Sequence, residues 1–221
     1  NWYVYCENNP LRYVDVTGLS PIDSALTYVD FALQYAVMIN QNIIGNDHYN
    51  HAVANSKGAR HGEDGYKTAL ELSITREISD HKKGDTLGDC IADMIANAHG
   101  RNIPLNTPID QHNNIYDTRA GGTRAKIPPE YEQFLFWLGF PTNSTHIPPN
   151  ELRGILTLID ALETLKSIDS NAYDNMLGYI MNQSYEYYQS KHNYNPDSHP
   201  GQSQSYTSPY GDPDHVPGLC Y

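Results

Sequence analysis

Residues 84–101 read GDTLGDCIADMIANAHGR, and this stretch decides the fold class. Asp85, Asp89 and Asp93 recur every four residues, and Asn97 and Arg101 continue the spacing. An α-helix therefore projects all five side chains from one face. Leu87, Ile91, Met94, Ile95 and Ala98 form the opposite, buried side, and Asp85-Thr86 supplies the N-cap. A row of three carboxylates, an amide and a guanidinium must be solvated, paired, or bound to something.

Helical periodicity continues on both sides of this stretch. Upstream, Ser20 caps and Pro21 opens a helix to about Ile44, with Leu26, Val29, Leu33, Ala36, Val37 and Asn40 on one face. Gly45-Asn46-Asp47 breaks it and starts a second helix over residues 48–60, and a third follows over 64–81 with Ala69, Leu70, Leu72, Ile74 and Ile78 apolar. Downstream, residues 102–128 carry Pro104, Pro108, Gly121 and Gly122 and read as a long loop. Pro128-Pro129 and Pro148-Pro149 each open a helix, and Leu152, Ile155, Leu156, Ile159, Leu162 and Leu165 give the second of these a core stripe. Ser170 caps the last, to about His192. The expected class is all-α, about seven helices in one domain.

The chain has 14 Lys plus Arg against 26 Asp plus Glu, a formal charge of -12, which argues against a nucleic-acid partner. It has no run of about 18 apolar residues, so no segment is expected to span a membrane. Cys6, Cys90 and Cys220 are too scattered for a disulfide framework. Cys90 reads as a small buried residue, and Cys6 and Cys220 lie near opposite ends, where a bridge would tie the termini together.

Residues 1–19 read NWYVYCENNPLRYVDVTGL, two short aromatic and β-branched runs around a turn, which predicts a hairpin-like segment. This stretch resembles the end of the Rhs or YD-repeat core, with Val16 where that family has proline. The resemblance implies a bacterial, secreted protein, an aspartyl-type cleavage after Leu19 using Asp15 and a second aspartate, and a helical variable domain over residues 20–192. It also implies the Rhs cocoon or an immunity protein as partner. Residues 193–221, rich in Tyr, Pro, Gly and Ser, have no helical period and suit a contact surface for homo-oligomers.

His51-Ala52 and then Asp93, Asn97, Gly100 and Arg101 further resemble an uncharacterised helical family with a D-x-H-N-N-x-x-G-R motif, Ile95 replacing its histidine. His48 and His51 share a helix face and, with Glu77 and Asp93, make a candidate set for zinc or another divalent metal. As a hydrolase site, His51, Glu77 and Asp93 would do acid-base work while Arg101 steadies a negative charge. The competing reading makes His51, Glu77, Asp93, Asn97 and Arg101 a buried polar network joining three helices. In the loop, Asp110, His112, Asn113, Asn114, Asp117, Arg119 and Arg124 fit either an anion site or a solvated turn. The function expected from the resemblance is a toxin-like effector domain, with a non-catalytic extracellular assembly subunit as the alternative.

Overall fold

Every regular element among the described residues is a helix. The computed structural model describes residues 21–41 and 45–192, and it contains no strand there. Eight α-helices follow in order: α1 (Pro21–Gln41), α2 (Asp47–Ala59), α3 (Gly62–His81), α4 (Leu87–Arg101), α5 (Ile109–Asn113), α6 (Pro129–Leu138), α7 (Pro149–Ile168) and α8 (Ser170–His192). The all-α class is thus correct. The hairpin of residues 1–19, the Cys6–Cys220 bridge, the cut at Leu19 and the tail of residues 193–221 fall outside the described residues. The eighth helix, α5, and two 3-10 turns, Asn114–Tyr116 and Thr118–Ala120, occupy the expected long loop.

Two compact units divide the chain. The first takes the described residues up to Thr75 together with Ala96–Arg124, and the second takes Arg76–Ile95 and the described residues from Ala125. Helices α3 and α4 each run from one unit into the other.

In the first unit α2 is the central helix, with Ala52 wholly buried. A Cβ on Gly100 would overlap the backbone of Ala52, so α4 approaches α2 as only glycine permits. Ser56 Oγ donates to the Gly100 carbonyl at 2.8 Å, and Asn113 Nδ2 donates to Ser56 Oγ at 2.9 Å, which fixes α5 on the same contact. His99 and His112 stack with ring centroids 4.1 Å apart and planes within 7°. Each ring's Nε2 bonds the other residue's carbonyl, at 2.9 and 2.8 Å.

Helix α1 packs on α2 through its polar side, against the expectation from its apolar stripe. Thr27 and Gln34 are its buried residues, at 0% and 5% exposure, whereas Leu26, Val29 and Leu33 stand 43%, 53% and 57% exposed. The docking contacts are hydrogen bonds: Gln34 to Asn50 at 2.8 Å, Lys57 to Gln34 at 3.0 Å, Thr68 to Ser24 at 3.0 Å, and a His61–Asp30 pair at 2.7 Å. At about 100° per residue the apolar stripe lies roughly a third of a turn away from the docked face. Periodicity found the stripe correctly but not what it meets.

The second unit packs hydrocarbon. Pro129 and Pro149 occupy the first turns of α6 and α7, where their missing N–H costs nothing. Leu152, Leu156, Ile159 and Leu162 of α7 are no more than 1% exposed, and Phe134 and Leu135 of α6 are wholly buried. Trp137 of α6 lies against Tyr185 of α8, ring centroids 5.2 Å apart. Thr86 caps α4 with a reciprocal pair: Thr86 Oγ accepts the Asp89 N–H at 3.1 Å, and Asp89 Oδ2 accepts the Thr86 N–H at 3.2 Å. Asp85 lies before the helix and Asp89 serves the cap, so the five-residue polar stripe is not one continuous helical face. His81 Nε2 accepts the Ile147 N–H at 3.0 Å, so Nδ1 carries the ring proton and donates it to the Asp85 carbonyl at 2.8 Å. Cys90 is a free thiol, 1% exposed, whose Sγ lies 3.6 Å from the Glu77 carbonyl oxygen.

Candidate functional site

Three helices of the first unit bring a polar network to one buried point. His51 and Asn55 sit one turn apart on α2, Asn97 and Arg101 one turn apart on α4, and Ser73 faces them from α3. Arg101 is 2% exposed and donates Nη1 to Asn55 Oδ1 and to Ser73 Oγ, the latter at 3.2 Å. Asn55 Nδ2 donates to Asn97 Oδ1 at 2.6 Å and to the His51 carbonyl at 2.9 Å, while His51 Nδ1 lies 3.3 Å from Asn97 Oδ1. The guanidinium also lies over the Tyr66 ring, 5.8 Å from its centroid. These groups hold three helices in register, and Ser73 shares its hydroxyl with Asn55 and the Ala69 carbonyl.

The catalytic residues anticipated from sequence divide between the units. His51 and Arg101 belong to the first, Glu77 and Asp93 to the second. The anticipated metal ligands divide likewise, with His48 and His51 in the first unit and Glu77 and Asp93 in the second. His48 is buried with its ring edge-on to Tyr116, centroids 6.3 Å apart. Within the second unit the Glu77 and Asp93 carboxyls approach to within 4.8 Å. Burial, and then the Asp93 charge, push Glu77 well above the usual carboxyl range.

Sequence reading missed Asn55 and Ser73, the centre of the network. The signal was available for Asn55, which stands one turn beyond His51 just as Arg101 stands one turn beyond Asn97. The loop arginines do not form an anion site. Arg119 forks onto Asp117 with both bonds at 2.8 Å, and Arg124 Nη2 meets Asp47 Oδ2 at 2.7 Å. The Arg119 guanidinium holds the Asp117 carboxyl below its ordinary range.

A second feature of this unit is a cleft of about 410 Å³ between α1, α2, α5 and Arg119. Val37, Val53 and Ile109 supply its apolar lining, and Lys57, Tyr49 and Asp110 its polar groups. The Tyr49 hydroxyl donates to Asp110 Oδ1 at 2.9 Å, and burial, then this carboxylate, push the phenol up to about 12. Arg119 lies over the Tyr49 ring, 5.1 Å from its centroid.

Comparison with known proteins corrects the reading taken from the N-terminal motif. No curated protein and no solved structure matches the chain. A family model does match, over residues 22–109, and it is not that of the Rhs or YD-repeat proteins. The match spans α1 to α4 and the whole Arg101 network, replacing both resemblances read from the sequence and overturning the toxin-like effector function. The proteins of the matching family are secreted, in agreement with an extracellular location, whereas a bacterial source has no support. Over the span that contains α1, the polar network and most of the cleft, the chain is similar to the Serum amyloid A protein family.

Proposed function

We infer that this chain is an apolipoprotein-like helical protein that works outside the cell and lays α1 on a lipid surface. The observation that carries this reading is the inverted docking of α1, which turns Thr27 and Gln34 inward and leaves Ile22, Leu26, Val29 and Leu33 exposed. A helix held by hydrogen bonds, with an apolar stripe in water, gains free energy when the stripe meets hydrocarbon. Among the described residues no helix is long and apolar enough to cross a membrane, so α1 lies on the surface rather than through it. It carries Asp23 and Asp30 and no basic residue, which favours a zwitterionic over an anionic surface. The similarity to the Serum amyloid A family over residues 22–109 supports the same reading.

Flotation of the full chain with phosphatidylcholine vesicles tests it. The chain should rise with the vesicles, and Leu33→Glu should weaken binding roughly thirtyfold, from about 2 kcal/mol of lost apolar burial. Flotation of the variant equal to that of the parent, or a parent that stays at the bottom, overturns the reading.

A further inference from the structure

Lys57 and Asp110 both line the cleft of the first unit and do not pair with each other. Lys57 Nζ donates to the neutral amide oxygen of Gln34 at 3.0 Å and has no carboxylate partner among the described residues. Asp110 accepts the Tyr49 hydroxyl on Oδ1, and its Oδ2 has no partner among them. Arg119 also lines the cleft, with its guanidinium forked onto Asp117 and lying over the Tyr49 ring. An ammonium and a carboxylate that line one cleft, neither held in an ion pair, can both be met by a single ligand carrying both signs.

The surroundings narrow the class of that ligand. The lining between the charges is apolar, with Val53 4% exposed. Val37 lines the cleft and is also 38% exposed as the last member of the α1 stripe of residues 22, 26, 29, 33 and 37. The cleft therefore opens directly onto the apolar face. A ligand with a charged head and a hydrocarbon body fits both parts at once, and the chain's formal charge of -12 disfavours a head that is anionic only.

We propose that this cleft is a head-group site for a zwitterionic phospholipid, with the phosphate on Lys57, the quaternary ammonium beside Asp110, and the acyl chains leaving past Val37 along α1. It rests on the lipid-surface reading above. Lys57→Met keeps the aliphatic stem, and Asp110→Asn keeps an acceptor for Tyr49, so the paired variant removes the charges with little change of shape.

The full chain and the paired variant should be titrated with vesicles of phosphatidylcholine and, separately, of phosphatidylglycerol. The parent should prefer phosphatidylcholine by about tenfold, and the variant should lose that preference while keeping the weaker binding. Unchanged preference in the variant overturns the head-group site and leaves the α1 reading standing, whereas an ineffective Leu33→Glu overturns the α1 reading itself. A second measurement needs no variant: dihexanoylphosphatidylcholine below its micelle concentration should shift the Val53 and Ile109 methyl signals of the parent. Unshifted signals overturn the proposal, as does equal binding by soluble glycerophosphocholine, which would make the cleft a site for a free zwitterion.

Discussion

The two units solve the problem of burial in opposite ways. In the first, buried polar side chains outnumber apolar ones: Gln34, Asn50, Asn55, Ser73, Asn97 and Arg101 lie inside beside Ala52, Val53 and Ile74. In the second, Leu87, Ile91, Phe134, Leu135, Leu152, Leu156 and Ile159 form the interior, and buried polar groups such as Glu77 and His81 are few. A hydrogen bond contributes about 1 kcal/mol net, because water offered the same bond to the unfolded chain. A fully buried leucine contributes about 2 kcal/mol with no directional requirement. The second unit is thus stabilised by amount of surface, and the first by correctness of geometry. That difference explains why the first unit can leave its best apolar stripe, on α1, facing outward.

The sharpest break of this comparison is Leu156→Ala in α7, set beside Leu33→Ala in α1. The first should cost about 2–5 kcal/mol by transfer and cavity terms, the second no more than about 0.5 kcal/mol. Amide hydrogen exchange along each helix reads the two separately, and equal losses would mean that α1 is core after all. Next in size is Arg101→Met, which removes the buried guanidinium's bonds to Asn55 Oδ1 and Ser73 Oγ and should cost about 1–3 kcal/mol in urea unfolding. A neutral result would show that geometry is not what holds the first unit.

A further break concerns the polar exception in the second unit. Glu77 titrates above its ordinary value of 4.5 in the folded protein, so between those two values the folded state holds a proton that the unfolded chain has released. The stability this gives is whole below the unfolded value and is lost as pH rises through the folded one. Glu77→Gln keeps the neutral form at all pH, so it should match the parent near about pH 4 and exceed it near about pH 8 in urea unfolding. A parent and variant that run parallel across that range would place the shift elsewhere.

Much of the second unit was legible in the sequence. Twin prolines at 128–129 and 148–149, the cap at Thr86 and the apolar period of α7 are local signals, and each sits where local chemistry requires. The first unit was legible only in part, for a physical reason. Its period gave α1 and its stripe, but the side on which a helix docks depends on partners such as Asn50, Lys57 and Gly58, which belong to another helix. The five residues of α5 are fixed by the Asn113–Ser56 bond and the His99–His112 stack, long-range contacts that no window of sequence displays. Within the site, the spacing on α2 and α4 placed His51, Asn97 and Arg101 correctly on helices, while their union through Asn55 and Ser73 had to be seen in three dimensions.

Cys90 gives the second unit a clock. Its sulfur is sealed among the residues that pack α4, and burial pushes the thiol far above its normal range, so in the closed protein it is neither reachable nor ionised. A thiol reagent can therefore modify it only in those moments when the unit opens. With Cys6 and Cys220 replaced by serine, the rate of that single reaction counts openings under native conditions, and lipid added to the same tube would show whether covering α1 slows the clock or leaves its pace alone.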